Sequence, residues 1–345
     1  MSLFRMCAFL LLLTVFLVAC SPPQANVSPT QAGIQGKLVI YSGRSEALIQ
    51  PVIDAFITSH PNAEVLLKAG SNSQLANALI EEKANPQADI FITTELFTAQ
   101  SLAEQNVFQS YPPTGVGQLP SEFIGADNTW TGLTRRARII MYNTDLLSEQ
   151  EAPRSIIELT DPKWKGQIAA AGSTNGSMQA QIAAMRQLLG ENVTEEWLQG
   201  LLANEITFFG GHTDVRKAIG AGEFKIGLVN HYYYYLQQAE GSPVGILFPD
   251  QGEGQIGLLT NATAVAVVAG AQNLPAAHAF VDYLVSPAGQ ELFSKLNYEY
   301  PLLPGVPLHP DVQALEGLRL ADVDVVQAAL EYDATFDLIE KVGLP

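Results

Sequence analysis

The chain has 345 residues, 47% of them apolar, and a formal net charge of -17. That excess of carboxylates opposes binding to polyphosphate backbones and anionic lipid surfaces, so nucleic-acid partners are disfavoured. Length and apolar content suffice for large cores, and a chain of this size usually divides into two lobes.

Arg5 followed by the apolar run Ala8 to Ala19 is too short to span a bilayer permanently and reads as an export signal over residues 1–19. Its end, Leu17-Val18-Ala19-Cys20, resembles a bacterial lipobox, in which Cys20 becomes an acylated membrane tether. An uncleaved helical anchor is the alternative, and both readings place the body outside the cytoplasm. Cys7 lies in the segment to be removed, which leaves the body without an internal disulfide. Residues 20–36 form the lipidated cysteine and an uncharged leash rich in Pro, Gln, Ser and Ala.

The body opens with a β-branched strand, Lys37 to Tyr41, the turn Ser42-Gly43, and an amphipathic helix from Glu46 to Ser59. The unit recurs as a strand over Ala63 to Lys68, a helix over Ser73 to Lys83, a strand over Ala88 to Thr93 and a helix over Phe97 to Gln105. Such alternation implies a mostly parallel sheet covered by helices on both faces. After a Pro- and Gly-rich loop comes the strand Arg138 to Asn143, then a second alternating set: strands at 166–171, 206–209 and 226–230, and helices at 177–189, 195–203 and 215–221. The strand 261–269 returns to the first lobe and is followed by helices over 276–285 and 289–295. The expected architecture is an α/β body of two lobes with a ligand cleft between them: lobe 1 from 37–137 and 261–312, lobe 2 from 138–260, and C-terminal helices within 313–345 packing on lobe 2. Two crossings between the lobes give a hinge.

Asn230-His231-Tyr232-Tyr233-Tyr234-Tyr235 follows the apolar run Ile226 to Val229, at a strand end, where open α/β sheets place their ligands. Tyr234 and Tyr235 are expected to pack into the core. Tyr232 and Tyr233, nearest the strand end, are candidates for the cleft. Adjacent phenol oxygens are hard anionic donors once deprotonated, and Fe(III) is a hard ion able to lower a phenol's pKa far below ~10, so the pair suggests ferric iron. No Gly-x-Ser-x-Gly elbow, His-Glu-x-x-His or phosphate loop ending in Gly-Lys occurs.

Seven stretches make the likeness specific: YSGR at 41–44, QADIFITTE at 87–95, LTRRARIIMYN at 133–143, DPKWKGQIA at 161–169, STNGSMQAQI at 173–182, NHYYYY at 230–235 and FPDQGEGQIG at 248–257. In order and spacing they resemble the ferric-iron-binding proteins of bacterial ABC importers, which have the type II periplasmic binding protein fold. The resemblance implies a monomeric carrier that passes a small ligand to an ABC permease, with Fe(III) as cargo and carbonate or a similar anion beside it. It assigns Tyr232 and Tyr233 as metal ligands. Where some members carry a histidine, a glutamate or a third tyrosine, this chain has Ser45, Thr94 and Met178. Glu95, Glu46 or water would then complete the metal site, or the cleft has changed its ligand. Arg44, Arg136 and Arg138 are retained from the subgroup that uses an anion, and an arginine fork suits a planar anion. Asn175-Gly176-Ser177 resembles the anion-cradling turn, joined by Asn230. His231 and Tyr41 are candidates to support the ligands from behind, and His212 either lines the cleft or caps a helix.

Three functions remain: a ferric-iron carrier, the same architecture binding a phosphorylated or amino compound, and a secreted hydrolase. No activated nucleophile supports the last, and the protein is expected not to be an enzyme.

Overall fold

The computed structural model describes residues 34–345, so the signal segment and Cys20 lie outside the described residues. The chain begins with β1 (Gly36–Ser42), α1 (Glu46–Ser59), β2 (Ala63–Ala69), α2 (Asn72–Glu81), β3 (Ile90–Thr93), α3 (Leu96–Glu104) and the short β4 (Phe108–Gln109). A long β5 (Thr131–Asn143) leads into β6 (Ile168–Ala171), α4 (Gly176–Leu189), α5 (Glu191–Ala203), β7 (Thr207–Phe209), α6 (His212–Gly220), β8 (Ile226–Asn230), α7 (His231–Ala239) and β9 (Val244–Leu247). Then come β10 (Thr260–Val268), α8 (Leu274–Val285), α9 (Pro287–Asn297), β11 (Tyr300–Pro301), α10 (Val325–Leu330) and α11 (Tyr332–Val342).

Local chemistry explains the element boundaries. In α1 the buried side chains are Ile49, Val52, Ile53 and Phe56, the spacing that lays one apolar stripe along a helix. Ser71 and Gln74 form a reciprocal capping box at the start of α2, and Asn175 accepts from Ser177 N at the start of α4. Each cap ends a loop at the cleft.

Strand pairing divides the body in two. β1 runs parallel to β2 and β3, and β6 runs parallel to β7 and β8. β10 is antiparallel to both β3 and β5. β5 belongs to both sheets: its first half pairs with β10 and β11, while Arg138 to Asn143 pair with β8 and β9. One lobe buries Leu38, Ile40, Phe91 and Phe280 in its core, the other Trp164, Ile182, Trp197 and Leu228. Each lobe is thus a parallel three-strand sheet bordered by antiparallel crossing strands, and the cleft opens beside the crossing.

Three features differ from the sequence expectation. β5 begins at Thr131, so the crossing falls mid-strand, between Ala137 and Arg138. The tyrosine run is helical, because β8 ends at Asn230 and α7 starts at His231. The C-terminal helices do not rest on the second lobe alone: Ala328, Ala329 and Tyr332 pack against Phe97 of α3 as well as Ala180 and Ala183 of α4.

Candidate ligand-binding cleft

Strands β1, β6 and β8 all deliver the chain to one cavity of about 430 Å³, and the turns that follow them open helices α1, α4 and α7 at its wall. Helix N-termini carry unpaired N–H groups and the positive end of the helix dipole, so the wall is built to meet negative charge. Ser45, Ser71, Asn72 and Thr94 line one side, Asn175, Gly176, Ser177, His212 and Thr213 the other, and Arg136 of β5 the floor. The walls approach closely at the cavity: a Cβ on Gly176 would lie 2.5 Å from Asn72 Nδ2, which donates to Thr94 Oγ1 at 2.7 Å. Glycine at 176 lets α4 approach this closely.

Tyr232 and Tyr233 occupy the first turn of α7 and both border the cavity. Their ring centroids are 4.3 Å apart with planes tilted by 33°. The remaining two tyrosines turn away, the Tyr234 hydroxyl accepting from Gln238 Nε2 at 2.8 Å and the Tyr235 hydroxyl from Gln313 N at 2.9 Å. Burial holds the Tyr233 phenol well above its ordinary pKa, helped by Tyr232 and opposed by Arg44 and Arg136. A ligand that wants the phenolate must therefore displace a proton.

The three arginines have different surroundings. Arg136 is 2% exposed, and its Nε and Nη2 have no hydrogen-bond partner among the described residues. An unpartnered buried donor is costly, about 1–3 kcal/mol and more for a charged group, so Arg136 carries unspent hydrogen-bonding capacity at the cavity that it lines. Arg44 also borders the cavity, but its terminal nitrogens are already bound to Glu299 and Thr263. Arg138 does not line the cavity: Nε donates to Gln181 Oε1 at 2.8 Å and Nη1 to His212 Nε2 at 2.9 Å, with Asn230 Oδ1 at 3.4 Å. Burial lowers its pKa to about 9, with Arg136 adding to the effect. It props α4, α6 and β8 from behind.

Two other candidates fall outside the cavity. Glu95 is fully buried as the cap of α3, accepting from Thr98 N at 3.0 Å, and burial raises its carboxyl to about 7. Both of its oxygens are engaged by Thr98 N of α3, and Glu95 is not among the residues that line the cavity. Tyr41 packs in the first lobe with its hydroxyl 3.1 Å from the Glu82 carboxylate and its ring under Lys68. Asn175 and Asn230 organise the turn, since Asn175 Oδ1 accepts from Ser177 N at 3.0 Å and Asn230 Nδ2 donates to Ser177 Oγ at 3.0 Å. His212 lines the cavity edge-on to Tyr233, at 5.1 Å, and receives Arg138 on Nε2, which leaves the hydrogen on Nδ1.

His231 supports the cleft from below. Its Nδ1 accepts from Ala137 N at 3.2 Å, its Nε2 donates to Tyr298 O at 2.9 Å, and its ring stacks on Tyr300 at 4.3 Å. This arrangement requires the neutral imidazole, and burial lowers its pKa to about 3. The folded state then binds fewer protons than the unfolded chain between pH ~6.5 and about 3, so stability declines as pH falls through that window, by about 1.4 kcal/mol per unit for one such group. Thermal unfolding of the metal-free protein between pH 7 and 5 will show that decline, and His231→Gln will reduce it, leaving the share of His212, whose pKa burial also lowers. An unchanged slope would mean that His231 is not the group responsible.

Comparison with known proteins identifies the family. The profile of the bacterial extracellular solute-binding proteins matches residues 85–317. The Fe(3+)-binding periplasmic protein of Serratia marcescens is 28% identical over 336 residues, covering 96% of this chain and 97% of the relative. Iron uptake protein A1 of Synechocystis sp. is 32% identical over 300 residues, covering 84% and 82%. Among solved structures, iron-bound HitA from Pseudomonas aeruginosa superposes with a TM-score of 0.82 at 26% identity, covering 89% of this chain and 99% of that one. Trichodesmium IdiA (FutA), in complex with iron and citrate ligands, gives 0.72 at 29% identity, covering 90% and 100%. With a matching profile over most of its length, a relative above 30% identity and a shared two-lobed fold, the chain belongs to the bacterial extracellular solute-binding proteins.

Proposed function

We propose that the protein binds ferric iron outside the cytoplasm, between Tyr232 and Tyr233 of α7 and a small oxyanion held by Arg136, and passes it to an ABC permease. The observation that carries this reading is the coincidence, around one cavity, of two phenols with ring centroids 4.3 Å apart and Arg136, a buried guanidinium with no carboxylate bonded to it among the described residues. Two phenolates suit a hard trivalent cation but leave it with residual charge and open coordination positions. Arg136 would repel a bare cation, so its place in the cavity makes sense with an anion between the two. A carbonate-like anion lying against Arg136 and the N-terminus of α4 would also draw the two lobes together, because it contacts elements of both only in the closed state.

The hydroxyl-rich wall favours a second reading, in which the same cleft takes a phosphorylated or amino compound directly. That reading leaves the paired phenols without a role. Acylation at Cys20 is part of the proposal and would tether the monomeric carrier near its permease. Mass spectrometry of protein recovered from membranes tests these points together: native spectra should carry iron, and denatured spectra a lipid-modified chain beginning at Cys20. An organic phosphate in place of iron would support the second reading, and an unmodified chain beginning at Met1 would count against the anchor.

A further inference from the structure

Behind the cleft, bonded to the lining residue Arg44, lies a carboxylate that no sequence pattern singles out. Tyr298 ends α9 in the left-handed backbone region, with φ 58°, a conformation uncommon outside glycine. The turn carries the next residue, Glu299, inward to complete burial. There it meets Arg44 end-on: Nη1 donates to Oε2 at 3.0 Å and Nη2 donates to Oε1. Arg44 Nη1 also reaches Thr263 Oγ1 at 2.9 Å, and Thr134 Oγ1 donates to Glu299 Oε2. Arg44 Nε remains buried without a partner among the described residues, and Arg44 borders the same cavity as Tyr232 and Tyr233.

A guanidinium in that position has two opposed effects: it attracts phenolates, and it repels the cation that the phenolates are meant to bind. Inside a protein such a charge is felt much more strongly than in water. We infer that Glu299 is a positioning residue for cargo capture, holding the Arg44 guanidinium against the phenol pair while cancelling its charge, so that a trivalent cation can enter. Glu299 acts through Arg44 and does not touch the cargo. The inference rests on the ferric reading above and deepens it.

Glu299→Gln keeps the side chain's shape and removes its charge. Replacing Arg44 and Glu299 together with Met removes both charges at similar volume, a change that buried ion pairs often tolerate. Each protein is titrated with ferric iron while the visible phenolate-to-iron band is followed, and the metal-free form is titrated with bicarbonate by calorimetry. Glu299→Gln should lower ferric affinity about tenfold or more. It should also move the band to shorter wavelength, because an uncompensated cation stabilises the phenolate donor orbitals. Bicarbonate should bind the metal-free variant more tightly than wild type, because the end-on face of Arg44 is no longer held by a carboxylate. The double variant should return towards wild type in both band position and ferric affinity.

A purely structural role would lower the melting temperature and leave the band and the bicarbonate affinity where they were. Wild-type values of all three quantities in Glu299→Gln would overturn the inference. If that variant does not fold, the double variant decides, and a tenfold loss of ferric affinity in it counts against charge cancellation. A wild-type protein without any band would defeat the ferric reading itself, while the bicarbonate comparison would still read the Arg44 charge.

Discussion

Replacing Tyr232 and Tyr233 together with Phe will lower ferric affinity by on the order of ten thousand-fold while leaving the fold in place. The estimate follows from the site. Loss of a mere supporting partner of a metal ligand costs about ten- to hundredfold in affinity, so loss of a donor atom should cost about a hundredfold or more for each tyrosine. Both rings are packed, at 4% and 9% exposure, and Phe preserves that packing. The phenol hydroxyls are removed from a polar cavity, so little stability should be lost. Single variants will separate the pair: each keeps one phenol, so binding in each should release about one proton from the pair in place of two. Equilibrium competition against a ferric chelator measures the affinities. Wild-type affinity in the double variant would remove the tyrosines from the site.

Arg136→Met should abolish the dependence of iron binding on bicarbonate. Arg136 is buried, its Nε and Nη2 lack partners, and no carboxylate is bonded to it among the described residues, in contrast to Arg44 with Glu299. A charge-assisted hydrogen bond contributes about 1.5–3 kcal/mol, which corresponds to roughly ten- to hundredfold in affinity at saturating bicarbonate. Methionine fills much the same volume and leaves no unpaired charge, so the variant should fold. Titrations with and without bicarbonate in a non-coordinating buffer should differ for wild type and coincide for Arg136→Met. If the variant keeps the wild-type response to bicarbonate, the anion is held elsewhere.

Helix α1 shows how much the sequence reveals by itself, because its apolar spacing gives the same limits, Glu46 and Ser59, that the structure has. β1, β2 and β8 were equally legible from short β-branched runs bounded by turn residues. α7 was not. Four successive tyrosines carry no helical polarity, and tyrosine favours strands, so only the packing of the second lobe against β5 and β9 makes the segment helical. Arg136 and Arg138 are grouped as anion-binding candidates by the family resemblance alone. The sheet changes between Ala137 and Arg138, however, so only Arg136 meets the cavity. Met178 is buried in the second core, away from the wall, consistent with its apolar side chain. Glu299 lies 255 positions from Arg44, and nothing local announces that the two will meet. Pairings of that kind are set by topology and become visible only once the chain is folded.

The central claim is that two adjacent phenols in this cleft become phenolates on a ferric ion. Its most direct test is titration of the metal-free protein with a ferric salt in the presence of bicarbonate, following visible absorbance and proton release together. A phenol with an ordinary pKa of ~10 is protonated at neutral pH, so metal ligation must expel its proton and binding must weaken as pH falls. The account predicts a phenolate-to-iron charge-transfer band that saturates at a single equivalent of iron, about two protons released from the tyrosine pair, and loss of the band in Tyr232→Phe/Tyr233→Phe. A protein that stays colourless and releases no protons under excess ferric ion would contradict it.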